Sequence, residues 1–109
     1  MEESMKLKLI IALLLLISTK NATAADTYVS GKIYDFTSTE QGLLIRIEGN
    51  QVPSSCPNPH SWGWMLIPQE STTMISVALM MLAQDKTNAT IYTSGTIGSF
   101  CKVIQLDPH

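Results

Sequence analysis

Ser71-Thr72-Thr73-Met74-Ile75-Ser76-Val77-Ala78-Leu79-Met80-Met81-Leu82-Ala83-Gln84, followed at once by Asp85-Lys86-Thr87, governs the arrangement of everything around it. Met74, Ala78, Met81 and Leu82 recur at helical spacing beside Ile75 and Leu79, so the segment predicts a helix with a wide apolar stripe that must be buried. Ser71 is placed to cap the first turn after Pro68, although no Glu or Gln stands three residues on to complete a capping box. Thr73, Ser76, Met80 and Ala83 make up most of the remaining surface. No residue between Thr72 and Gln84 carries a charge. A solvated helix face usually carries some, so the spacing predicts cover on a second side, with Thr73, Ser76 and Met80 as an interface between copies of the chain.

Working outward, the segments before and after this helix read as strands. Tyr28 to Phe36 is rich in strand formers, with Val29, Gly31 and Ile33 on one face and Tyr28, Ser30, Lys32, Tyr34 and Phe36 on the other. Gly31 inside it predicts a bend or bulge. Thr37 to Gly42 reads as a hairpin loop. Leu43 to Glu48 gives the clearest period of two, with Leu43, Ile45 and Ile47 inward. Gly49 to Ser61, with three prolines, is a loop. Trp62 to Ile67 reads as a third strand ended by Pro68, Asn88 to Ser94 as a fourth, and Cys101 to Leu106 as a fifth. The result is mainly β with one helix, in the order β-β-β-α-β-β. That order is the one expected of a five-stranded OB-fold barrel, and an open antiparallel sheet with a helix across one face is the rival.

The start of the chain has a different character. Lys6 and Lys8 precede an apolar run from Leu9 to Ile17, and Ala22-Thr23-Ala24-Ala25 follows. This pattern predicts a signal peptide over residues 1–24, with cleavage after Ala24 or Ala25, a single domain over 25–109, and a secreted or periplasmic location. Cysteine is absent just after the apolar run, which argues against a lipoprotein. Within 25–109 the basic residues are Lys32, Arg46, Lys86 and Lys102, against Asp26, Asp35, Glu40, Glu48, Glu70, Asp85 and Asp107. This acidic balance with one arginine argues against nucleic acid and against insertion into an anionic membrane. Cys56 and Cys101 are the two cysteines. An even count in an oxidising compartment predicts one disulfide between them, worth about 4 kcal/mol by loop-closure entropy.

The residues offer little for catalysis. A hydrolytic triad needs a serine, a base and an orienting acid, and the two histidines, His60 and His109, stand in no recognisable nucleophile setting. A nuclease would need several arginines, and Arg46 stands alone. Cys56-Pro57-Asn58-Pro59-His60 and the methionines suit a disulfide and a helix core better than a metal, so no metal or cofactor is expected. Asn88-Ala89-Thr90 has the form of a glycosylation sequon but falls within a strand. Trp62 and Trp64, two apart, would share a strand face as core or interface packing, with a sugar platform as the sharper alternative.

Asp26-Thr27-Tyr28-Val29-Ser30-Gly31, Ile47-Glu48-Gly49, Cys56, Trp62-Gly63 and the block from Ala78 to Ser94, taken in this order, resemble the family of small exported bacterial OB-fold proteins that includes the subtilase cytotoxin B subunits. The resemblance covers nearly all of residues 25–109. It implies a non-enzymatic binding module like the glycan-binding B subunit of an AB5-type toxin. The partners implied are a cell-surface glycan, further copies in a ring-shaped homopentamer, and a separate catalytic A subunit. It also implies sugar contacts at Asp26 and Ser30, which keep the family's spacing of four, and at Tyr92, the first position of a tyrosine pair whose second position here is Thr93. The alternative is a stand-alone exported protein of the same fold that acts by protein contact, as an inhibitor or an assembly partner.

Overall fold

The computed structural model describes residues 26–109, and the expected signal peptide over 1–24 lies outside them. The elements are β1 (Tyr28–Thr39), β2 (Gly42–Ile47), two short 3-10 turns (Glu48–Asn50 and Pro59–Ser61), β3 (Met65–Pro68), α1 (Thr72–Ala83), β4 (Asn88–Ile97) and β5 (Phe100–Pro108). Over the described residues the protein is mainly β with one helix, as the patterning predicts. Its five strands form a closed sheet in the order β1-β2-β3-β5-β4, with β4 returning to β1, and this excludes the open-sheet rival. All pairings are antiparallel except that of β3 with β5. Closure leaves the sheet no wholly unpaired edge strand.

β1 achieves the closure by changing partners. Tyr28 to Lys32 pair with β4, and from Ile33 onward the strand pairs with β2. At the change the Ile33 amide donates to the Thr87 carbonyl, 2.9 Å away, just ahead of β4. The irregularity predicted at Gly31 falls instead between Ile33 and Asp35. Gly31 has another reason to lack a side chain, because a Cβ there would lie 2.8 Å from Ile47 Cδ1 in the core. The irregularity also reverses the faces: Phe36 pairs with Ile45 and so shares the sheet face of Ile45, against the sequence-based assignment with Tyr28 and Ser30.

The β1–β2 hairpin is tighter than predicted, with only Glu40 and Gln41 between the strands. Gly42 makes this possible: a Cβ would come within 2.0 Å of the Ile67 carbonyl oxygen of β3. Leu43, Ile45 and Ile47 of β2 point into the core with Ile33, Met65, Ile67, Ala89, Ile91 and Val103. β3 is covered on both faces, as expected, since Leu66 pairs with Leu44 on the opposite side and both are buried. This strand begins at Met65, so Trp62 and Trp64 precede it and do not form the expected pair on a strand face.

α1 buries Ala78 and Met81 in the core, with Met74, Ile75, Val77 and Leu82 partly buried against it. Leu79, assigned to the buried stripe, is instead 47% exposed. Ser71 occupies the N-cap, yet its hydroxyl makes no capping bond. The other end is stopped by a Schellman turn, in which Lys86 N donates to Met81 O and Asp85 N to Leu82 O. Asp85 takes the left-handed conformation (φ 56°) that glycine usually supplies there.

The Cys56–Cys101 disulfide forms as predicted, across a sequence separation of 45. It ties the long loop between β2 and β3 to the start of β5. Thr93 turns inward behind it, with its hydroxyl 3.2 Å from Cys56 Sγ. β4 runs on to Ile97, past the predicted end at Ser94, by way of an irregularity around Gly95 (φ 68°).

Candidate functional site

Three strands, β1, β4 and β5, lay their outward residues in rows on one face of the sheet. Antiparallel register places Tyr28 opposite Tyr92 and Tyr92 opposite Gln105, then Ser30 opposite Thr90 and Thr90 opposite Asp107. Directly paired residues share a face, so these six side chains form one ledge. It is legible as the polar half of the alternation in β1 and β4, whose other half, Ile33, Ala89 and Ile91, fills the core.

The ledge combines aromatic surface with hydroxyls. The Tyr28 and Tyr92 rings are tilted at 42° with centroids 5.9 Å apart, within the range of favourable aromatic pairs. Tyr28 is half exposed. Ser30 Oγ and Thr90 Oγ1 share a hydrogen bond of 2.7 Å, and Thr90 Oγ1 lies 2.8 Å from His109 Nε2. The His109 amide donates to the Asn88 carbonyl, which holds the imidazole against the strand. His109 therefore completes a chain of three side chains that begins at Ser30. Its place was hidden in the sequence because only the β4–β5 register brings it beside Thr90.

Of the three sugar-contact residues implied by the family resemblance, Ser30 and Tyr92 lie on this ledge in adjacent rows. Asp26 is held elsewhere: its amide donates to Ser54 Oγ at 2.7 Å, and its carbonyl accepts from Ser55 N at 3.2 Å. It sits at the edge of the loop that leads to Cys56. Among the described residues no hydrogen bond joins its carboxylate to Ser30 or Tyr92. Thr93 is buried and faces the disulfide, so it takes no part in the ledge.

Beyond Gln105 the ledge meets an open hollow of about 360 Å³ between β5 and the first turn of α1, lined by Glu70, Ser71, Met74, Val77, Gln105 and Leu106. The outward face of α1 borders the hollow at Thr73, which also lines it. Thr73, Ser76 and Met80 are all exposed there, Met80 at 54%, and Leu79 joins them. The Ser76 hydroxyl is turned back to the Thr72 carbonyl, which leaves this face short of free polar groups.

Arg46, which stood alone in the sequence, is fully engaged. Its Nη2 reaches Asp35 Oδ2 at 2.6 Å, Nη1 donates to the Trp62 carbonyl, and the guanidinium lies 4.3 Å from the Trp64 ring centroid and 5.2 Å from that of Tyr34. Among the described residues no group of three or more His, Cys, Asp or Glu side chains is arranged to hold a metal ion, and no helix is long and apolar enough to cross a membrane. No protein family, curated protein or solved structure matches the chain.

Proposed function

We propose that the protein is an exported, non-enzymatic binding module that takes a cell-surface glycan on the ledge of β1, β4 and β5, in an OB-fold like that of toxin B subunits. The observation that carries the reading is the joining of the Tyr28–Tyr92 ring pair to the Ser30–Thr90–His109 hydrogen-bond chain on one exposed face. Pyranose rings bind through an apolar CH face and a rim of hydroxyls, and the ledge offers an aromatic row beside a row of hydroxyl and imidazole groups. The OB-fold assignment is supported by the closed order β1-β2-β3-β5-β4 with the helix between the third and fourth strands. Export is supported by the disulfide, which persists in oxidising compartments.

Within this reading Ser30 and Tyr92 contact the sugar directly, and Asp26 contributes at the margin, from the loop side. Glycan-array binding that disappears in Ser30→Ala, in a protein of unchanged melting temperature, is the expected result. Full retention of binding in that variant would remove the ledge from consideration.

Two further readings draw on the uncharged face of α1: the homopentameric ring with its catalytic A subunit, which belongs to the toxin-like reading, and the alternative of a stand-alone protein that acts by contact as an inhibitor or an assembly partner. Leu79 and Met80 stand exposed there beside Thr73 and Ser76, and an exposed apolar patch of this kind suits a neighbouring subunit in a homopentamer. Met80→Asp is expected to convert an oligomer into a folded monomer. A wild-type protein already monomeric by light scattering would eliminate the ring.

A further inference from the structure

The loop from Glu48 to Trp64 builds a second surface. Both tryptophans of the chain lie in it, together with Tyr34, Asp35 and Arg46 of the neighbouring strands. Trp62 follows a turn in which two consecutive residues, His60 (φ 56°) and Ser61 (φ 58°), take the left-handed conformation. Such a conformation is strained for a non-glycine residue and persists only where its surroundings over-determine it. Here they do: Gly63 N donates to Asn58 Oδ1 at 2.7 Å, Trp62 N to the Pro59 carbonyl at 3.2 Å, and Gly63 packs so closely on Asn50 that a Cβ would lie 2.6 Å from its Cα.

The rigid turn holds Trp62 out from the protein. The His60 ring packs on it with centroids 4.9 Å apart, and Trp62 nevertheless remains 49% exposed. Arg46 ties the Trp62 backbone to Asp35, since one guanidinium binds both the Trp62 carbonyl and the Asp35 carboxylate. Asp35 Oδ2 accepts from Arg46 twice, while Oδ1 has no hydrogen-bond partner among the described residues, and the side chain is 39% exposed.

We infer that Trp62 is a stacking platform for an uncharged pyranose, with Asp35 Oδ1 accepting from the sugar's hydroxyls, at a site separate from the Ser30–Tyr92 ledge. The charge balance selects the ligand class. Arg46, the cation of the cluster, is paired with Asp35, so the cluster carries no net positive charge of the kind that favours the phosphate of a nucleotide or the carboxylate of an acidic sugar. The apolar CH face of a neutral hexose matches the exposed indole, and its hydroxyls match a half-exposed carboxylate oxygen. With the ledge on β1, β4 and β5, the chain would carry two sugar sites of different chemistry.

Because both tryptophans belong to this cluster, intrinsic tryptophan fluorescence reports on it and not on the tyrosine ledge. The probes are galactose, glucose, mannose and lactose, titrated into the full exported chain with its disulfide intact. A saturable change in emission with at least one of them is expected. It should vanish in Trp62→Ala, whose remaining Trp64 signal and melting temperature check folding, and weaken roughly tenfold in Asp35→Asn. It should persist in Ser30→Ala, which separates this site from the ledge. The proposal is overturned by the absence of a saturable response to all four sugars, by sugar binding in folded Trp62→Ala measured calorimetrically at wild-type strength, or by an emission change that tracks protein concentration and dimer formation in sedimentation. An equal response to adenosine monophosphate would also overturn it.

Discussion

The two halves of β1 form one unbroken strand and behave differently. From Tyr28 to Lys32 it pairs with β4 in strict alternation, and its outward side chains supply the Tyr28 and Ser30 of the ledge. From Ile33 to Thr39 it pairs with β2, carries the irregularity between Ile33 and Asp35, and presents Tyr34 and Asp35 to the tryptophan-bearing loop. The first half is a flat row whose polar groups satisfy one another across strands. The second is a crowded corner where an arginine, two aromatic rings and a strained turn are locked together. A regular register makes a broad surface from many small contributions, and a broken one concentrates a few large side chains at a point.

The largest effect expected is at the hairpin that ends the second half. Gly42→Ala should destabilise the protein by more than about 4 kcal/mol, because its Cβ would collide with the backbone of β3 at 2.0 Å. Chemical denaturation measures it, and a loss below about 1 kcal/mol would mean that the corner is less crowded than described. Cys56→Ser comes next, at about 4 kcal/mol, since it frees a loop closed over 45 residues. Tryptophan emission should change along with the melting temperature, and an unchanged melting temperature would sink the disulfide's stabilising role. Asp35→Ala releases Arg46, but both side chains are partly exposed, so the loss should stay below about 1 kcal/mol and shrink further in high salt. A salt-independent loss would show that Asp35 acts by packing. Ser30→Ala is the smallest, within about 0.5 kcal/mol in stability, while abolishing the glycan binding proposed for the ledge. A large stability loss there would make the first half a structural seam and not an open ledge.

What the sequence revealed follows the same division. The helix, the five strands, the inward set Leu43, Ile45 and Ile47, and the disulfide all rest on period, composition or count, and all are found. The faces of β1 were readable up to Ile33. Beyond it Phe36 was assigned to the wrong face, since one bulged residue inverts the phase of alternation without leaving a compositional mark. Trp62 was misplaced because Trp62-Gly63-Trp64 alternates like a strand, whereas Gly63 (φ 79°) belongs to a turn packed on Asn50. Ser30 and Tyr92 were named from the family resemblance, and Thr90 and His109, which complete their row and the hydrogen-bond chain, were not. Neither residue type is distinctive alone, and the row depends on the β4–β5 register and on the pairing of β4 with the distant β1.

The pairing of β3 with β5 spans only two residue pairs, Met65 with Cys101 and Leu66 with Lys102, and the disulfide leaves from Cys101. Cys101 thus sits on the shortest seam of the closed sheet, and its bond to Cys56 anchors there the loop that leads into β3. Were the seam to open, it would expose two raw strand edges, one of them carrying the run Met65-Leu66-Ile67, which is suited to zip onto the same edge of another molecule. Oxidation would thus guard solubility as well as stability, and the chain in its thiol form is expected to aggregate more readily than the disulfide-bonded one.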